Sequence, residues 1–411
     1  MEEWRYYKLK DLLLIPIRNG LTKPSAIRGK GVKMIGMKEI FAMDIIKSIA
    51  MERVPVTDKE LNSSEVLPND LLFARQSLTL EGAGKCSIVS SVNEPTVFES
   101  HLIRVRIDEK KANPYYLYYY FKSKVGRTQI QALVQQVAAA GIRGKELIEL
   151  EIKLPNISTQ NRIVSILKSI DDKIEANRQI NDNLEQQAQA LFKSWFVDFE
   201  PFNDQLFIES ELGMIPKGWR VVDLDDILEL RKNNYKKGDD VSLPYLPIDI
   251  IPMHSLGVSE FKDNSEAQSS LQTFEKNDIV IGAMRVYFHR VIIAPCNGIT
   301  RNTCFVLRPK HQDMWAYSIL QCNQDEAIDY ANRTSKGSTM PYAIWKNGFG
   351  GFKVILPHFD VLKCFNEKLS PILGKIRDSY KINTTLANMR DTLLPRLMSG
   401  EIEVKNIEQS L

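Results

Sequence analysis

The sequence predicts an α+β fold: two mixed α/β globular domains joined by two long antiparallel coiled-coil helices, arranged as a pseudo-twofold internal repeat. Three observations carry this expectation. The 411-residue chain starts over near its middle. Each half closes on a long amphipathic stretch, and those stretches match at a constant spacing. The interiors of the halves differ in length and sequence, so a frame is repeated while its filling is not.

The restart is WRYYKLKDLL at Trp4 against WRVVDLDDIL at Trp219. Trp4, Arg5, Leu9, Asp11 and Leu13 align with Trp219, Arg220, Leu224, Asp226 and Leu228. PNDLLFAR (68–75) aligns with KNDIVIGAMR (276–285), each an Asn-Asp turn before a short apolar run, the pattern of a turn and a buried strand. KLPN (153–156) answers ILPH (355–358), and LEQQAQALF (184–192) answers LANMRDTLL (386–394). SIVSSV, HLIRVRI and TCFVLRP predict further strands. In NPYYLYYYFKS (113–123), Asn113 and Pro114 predict the cap and first turn of a helix.

The boundaries follow: a globular domain over 1–155, a long-helix spacer over 156–212, a second domain over 213–357 and a second spacer over 358–411. The first helix runs from about Ser158 to Phe196. Its stripe includes Ile163, Ile170, Ile174, Asn177, Asn181, Leu184, Ala188 and Leu191. The second runs from about Phe359 to Met398, with Leu362, Phe365, Leu369, Ile376, Leu386 and Leu393 on its stripe and a kink or break expected at Pro371. One narrow stripe on so long a helix fits a coiled-coil seam, each helix being the simplest partner of the other.

A hydrophobic fraction of 44% and a charged fraction of 26% are those of a globular protein. No apolar run is long enough for a transmembrane helix, and MEEWRYYKLK is no signal peptide, so a cytoplasmic protein is expected. The five dispersed cysteines form no C-x-x-C pair, and the five histidines show no metal-ligand spacing; no metal is expected. The net charge of +3 alone says nothing about nucleic acid, and the local balance of basic and acidic residues permits a polyanionic partner without demanding one.

Catalytic motifs fail on inspection. NPYY resembles the N-P-P-[YF] motif of amino-methyltransferases but lacks the second proline, and helix capping explains it better. EGAGKCS (81–87) is similar to a phosphate-binding loop, but Thr79 stands where its first glycine belongs and Cys86 replaces the metal-holding hydroxyl. No catalytic residue is assigned, and the chain is expected to be a binder.

LPNISTQNRIVSILKSIDDKIEANRQINDNLEQQAQALFKSWFVDFEPF (154–202), GMIPKGWRVVDLDDIL (213–228) and LANMRDTLLPRLMSGEIEV (386–404) carry a resemblance to the specificity subunits of type I restriction–modification systems, over the whole chain. L-P with Gln160 before a helix ending in L-F-x-x-W-F resembles the central spacer of that family. Ile215-Pro216-Lys217-Gly218-Trp219 resembles the start of its second target-recognition domain, and Leu393 to Ile402 its final spacer. The resemblance implies two target-recognition domains, each reading one half of a split site in double-stranded DNA. It implies spacers that dock two modification subunits, and restriction subunits beside them. It implies no cofactor in this chain; S-adenosylmethionine, ATP and magnesium belong to the partners.

Residue chemistry alone nominates the contacts. In the first domain these are Arg75, Gln76, Thr79 and Lys85 in the polar loop after the apolar run, with Arg143 and Lys145 in AAAGIRGK. In the second they are Arg285, Tyr287, His289 and Arg290 after Asn277-Asp278, with Arg333, Lys336 and Ser338 in NRTSKGSTMP. Arginine and the amide side chains can pair with guanine and adenine edges. Leu191, Phe192, Trp195 and Phe196 are bulkier than one seam needs and are expected to help dock a modification subunit.

Overall fold

The computed structural model describes residues 4–136, 140–236, 243–258, 260–267 and 270–402. The chain divides into two compact units, one of residues 1–171 with 388–411, the other of residues 172–387. Among the described residues no helix is long and apolar enough to cross a membrane.

In the first unit, Arg5–Lys8 pairs antiparallel with Glu151–Leu154, Arg5 facing Leu154. A one-turn helix follows, burying Leu9 and Leu12, and the Lys8 N–H donates to Asp11. The main sheet has five strands in the order Arg18–Asn19, Leu102–Val105, Leu71–Ala74, Cys86–Val89, Ile45–Ile46. Its central strand Leu71–Ala74 is buried at every position, which is why it reads as a continuous apolar run rather than an alternating one. A three-stranded sheet of Arg53–Val54, Val32–Ile35 and Thr96–Phe98 stands beside it. Helices α1 (Pro114–Lys122) and α2 (Lys124–Ala132) belong to this unit. Asn113 caps α1 as its sequence predicts, its side-chain oxygen accepting from the N–H groups of Tyr115 and Tyr116. Gln160, only 1% exposed, accepts from the Asn113 N–H and donates to the Pro155 carbonyl, so it locks the start of α1 to the start of helix α3 (Ile157–Phe196). Ile163, Val164 and Leu167 of α3 enter the core of this unit together with Leu394, Leu397 and Met398.

The second unit repeats the frame residue for residue. Arg220–Asp223 pairs antiparallel with Lys353–Leu356, Arg220 facing Leu356. A one-turn helix buries Leu224 and Ile227, and the Asp223 N–H donates to Asp226. The main sheet runs Leu228–Arg231, Cys304–Pro309, Ile279–Gly282, Val291–Ile293, all antiparallel. Leu307 faces Ile279 as Val105 faces Leu71 in the first unit. Helices α4 (Trp315–Cys322) and α5 (Asp325–Arg333) take the places of α1 and α2.

The last helix, α6, runs unbroken from Phe359 to Ser399. At Pro371, where a kink or a break is expected, the helix is not broken, and it also passes through Pro395. Both prolines lie on an exposed face, where the carbonyl each leaves without a partner can be hydrated. Within the second unit α3 and α6 are antiparallel: Asn177 bonds Asn383 at 2.8 Å and Asn181 bonds Ser379 at 2.5 Å, so four residues forward on one helix are four back on the other. The two asparagines on the apolar stripe thus form a polar layer, a device that fixes register in coiled coils.

Candidate nucleic-acid interface

The site grows from the duplicated turn. Asn69 and Asn277 both adopt positive φ, 71° and 77°, which asparagine tolerates better than most residues. The following aspartates, Asp70 and Asp278, are almost fully buried. Each accepts a backbone N–H three residues upstream, from Leu67 and Glu275. Each is also gripped by both arms of one arginine: Arg106 on Asp70 at 2.6 and 2.7 Å, Arg308 on Asp278 at 2.7 and 3.0 Å. This clamp fixes the start of the buried strand that leads to the polar loops nominated from the sequence.

At the far end of that strand the frame makes its last common hydrogen bonds. The Arg75 N–H donates to the His101 carbonyl and the Arg75 carbonyl accepts from Ile142. Ala283 does the same with Thr303 and Ala343. Beyond these positions the units diverge. The strict structural counterpart of Arg75 is therefore Ala283, and Arg285 lies two residues further on.

The fold sorts the first unit's nominated residues. Gln76 is exposed, its side-chain oxygen 2.9 Å from His101 Nδ1, and it starts a strand against Ala140–Gly141. Arg75 is half-buried, with its Nε lacking a protein partner. The Thr79 hydroxyl accepts from the Gly82 N–H and shapes the loop that carries Leu78, which is fully exposed. Lys85 is engaged inside the domain, 3.1 Å from Asp44, which also binds Lys122 at 2.6 Å. Burial pushes the Asp44 carboxyl up, but the two ammonium groups outweigh it and hold it below the usual range. The loop similar to a phosphate cradle is thus a structural turn; Gly84 has φ 69° there, and a Cβ on it would strike Ile130. Arg143 and Lys145 are exposed around the short helix Gly144–Leu147.

In the second unit Arg285 is half-buried with φ 50°, its N–H donating to Pro341, and Tyr287 is 47% exposed. Arg290 donates to the carbonyls of Ile248, Asp249 and Ile251, which makes it a loop brace rather than a free contact. His289 is buried, within 3.1 Å of Asp325 and 2.9 Å of Asn323. Arg333, Lys336 and Ser338 are exposed. Lys336 pairs with Tyr342, which in turn pairs with Met284, a counterpart of the first unit's Gln135, Gly141 and Gln76. That register sets Lys336 opposite Gln135 in the repeat, whereas Arg143 and Lys145 follow their hairpin.

Sequence reasoning missed a mixed cleft of about 830 Å³ next to this hairpin, where Lys232, Asn234, Gln272, Asn302, Lys336 and Lys346 line an otherwise largely apolar wall that includes Leu230, Phe305 and Trp345. Its lysines and amides suit phosphate and base edges. They are scattered over 115 residues, so no local signal joins them. The fold also brings together His254, His289 and Asp325, again from distant segments.

The docking assignment needs correction. Phe192 and Phe196 are 2% and 3% exposed. Phe196 packs on Phe365 at 4.7 Å and Tyr317 at 4.9 Å, and Trp195 on Phe365 and Phe202. Leu191 and Trp195 are partly buried against the same cluster. The bulk that exceeds a helical seam fills the core of the second unit.

The two units share one frame and differ in the loops it presents, so the chain is an internally duplicated protein. Residues 1–186 match the family model of the type I restriction modification DNA specificity domain. The chain is 25% identical to the type I restriction enzyme MjaIX specificity subunit of Methanocaldococcus jannaschii, covering 99% of this chain and 95% of that one. It is 26% identical to the HindI specificity subunit of Haemophilus influenzae over 62% and 69% of the two chains. Its fold is similar to that of the S subunit from M. genitalium, with a TM-score of 0.58, 15% identity and 96% of each chain covered. Residues 1–186 thus carry the type I restriction modification DNA specificity domain, and the whole chain is similar to specificity subunits of type I restriction enzymes.

Proposed function

We propose that this chain is the non-catalytic DNA-recognition subunit of a cytoplasmic type I restriction–modification complex. The globular parts, residues 1–155 and 213–357, are its target-recognition domains, and each reads one half of an asymmetric bipartite site in double-stranded DNA. The segments 156–212 and 358–411 set the half-site distance and dock two modification subunits, which carry S-adenosylmethionine and methylate adenine. Restriction subunits supply ATP-driven, magnesium-dependent translocation and cleavage.

One observation carries the reading. The clamped strand, the Asn-Asp turn and the closing strand pair are the same in both units, while the loops they present differ. A common frame with unlike loops is what reading two different half-sequences requires, because base edges are distinguished by side chains placed in the groove. Half-sites on one face of DNA lie about 34–36 Å apart or at multiples of that. An unbroken 40-residue helix such as α3, about 60 Å long, is stiff enough to set such a distance.

Methylome sequencing of cells expressing this chain with its cognate modification subunit tests the proposal. The expected result is a new bipartite motif carrying methyladenine in both halves. An assembled complex that yields no motif overturns it.

A further inference from the structure

We propose that His254, His289 and Asp325 form a binding site for one divalent transition-metal ion of the zinc class. The three residues come from three segments: the loop after Ile248–Ile250, the end of the turn Val286–Phe288, and the first residue of α5. Their donor atoms all lie within 4.8 Å of one another. His289 Nδ1 and Asp325 Oδ1 are 3.1 Å apart, near the roughly 3.3 Å edge of a tetrahedron with bonds of about 2.0–2.1 Å. The two imidazole centroids are 4.6 Å apart, and the His254 N–H donates to the His289 carbonyl at 2.9 Å, which fixes one backbone against the other.

The orientation of His289 is the sharper argument. The ring is buried, and Nε2 lies 2.9 Å from the Asn323 side-chain oxygen. With Nε2–H donating to that oxygen, the Nδ1 lone pair faces Asp325 and the exposed His254. A histidine held through its other nitrogen in this way is preset for a metal. Both histidines also take positive φ, 53° and 49°, a conformation that residues other than glycine rarely adopt. Two imidazoles and one carboxylate are a borderline donor set that suits zinc, cobalt or nickel and leaves a fourth position for water. Calcium and magnesium, which prefer all-oxygen shells, fit it poorly.

The ion would tie the turn that follows Arg285 and carries Tyr287 to the start of α5, and so stiffen the loop that the proposed function assigns to DNA. Only this last consequence rests on that reading.

The test is cobalt(II) and zinc(II) titration of the purified full chain without DNA, followed by visible absorption and calorimetry. The expected result is one saturable equivalent, weakened at least tenfold in both His254→Ala and Asp325→Asn and unchanged in His311→Ala. Thermal denaturation confirms that each variant is folded; Asp325→Asn keeps the side-chain volume beside His289. Absence of a saturable equivalent, or one indifferent to both substitutions and held by the exposed Cys364 thiol instead, overturns the proposal and leaves a plain His289–Asp325 contact. Because the readout needs no DNA, failure here leaves the recognition reading standing, and failure of that reading leaves this one testable.

Discussion

Arg308 grips Asp278 with two parallel hydrogen bonds, and Arg106 grips Asp70 in the same way. Both aspartates are at most 2% exposed, while the arginine side chains retain 31% and 19% exposure. Removing a buried carboxylate strands the guanidinium and the backbone N–H it served. Asp278→Ala is therefore expected to destabilise the second unit by about 3 kcal/mol, and Asp70→Ala the first unit by a similar amount. Urea denaturation followed by unit-specific tryptophan or exchange probes would show each loss in its own unit. A midpoint unchanged by either substitution would refute the role of the clamp.

Phe196 touches Phe365, Tyr317, Trp219 and Phe192 inside one core. Phe196→Ala is expected to cost about 3–5 kcal/mol. Any failure of the variant to assemble with other subunits should track its fraction unfolded. Loss of assembly at undiminished stability would return these residues to a docking role.

Glu185 on α3 accepts from the Leu256 N–H and the Ser255 hydroxyl, yet burial outweighs both and pushes its carboxyl up to about 7. The folded state therefore holds a proton that the unfolded chain, near 4.5, releases. Stability from this group is full below about 4.5 and is lost as the pH rises through about 7, by up to roughly 3 kcal/mol. The check is the difference in unfolding free energy between Glu185→Gln and the parent from pH 4.5 to 8. It should grow in favour of glutamine across that window, and a flat difference would contradict the burial argument.

In the DNA-reading model, Gln76→Ala should relax specificity in the first half-site only, and Arg285→Ala or Tyr287→Ala in the second only. Removing a side chain that reads a base edge should reduce discrimination at that base pair by about 1–3 kcal/mol. Exposed Arg143 and Arg333 are expected to act on phosphate, so their removal should weaken binding for all sequences and lower the salt slope by about one. Binding titrations at several salt concentrations, with half-site variants of the DNA, separate the two classes.

The frame was legible in the sequence because its demands are local. Asn69 and Asn277 announce a positive-φ turn, the apolar runs behind them announce buried strands, and Asn113-Pro114 announces a helix start. The long helices were legible through their stripe, and Pro371 does not end the second one, because on its exposed face the freed carbonyl can be hydrated. The site was less legible. Lys85, His289 and Arg290 have the chemistry of DNA-contacting side chains, but each is engaged by partners 34 to 44 residues away in sequence that no local pattern reveals. Phe192 and Phe196 looked surplus to a two-helix seam because Tyr317, the partner they share outside the helix pair, lies more than a hundred residues along the chain.

The first unit takes Leu394, Leu397 and Met398 into its core beside Ile163 and Leu167, and Arg390 binds Asp171 at 2.8 Å. On the ribosome, residues 1–171 are therefore finished early but wait for a stretch made after all of 172–387. A premature stop codon near position 390 would accordingly injure the earlier-translated domain and spare the later one. Amide exchange on such a truncation should show protection absent around Ile163–Leu167 and kept around Ile279–Gly282. For a nascent chain, the amino-terminal half is the one left open longest to proteases and chaperones.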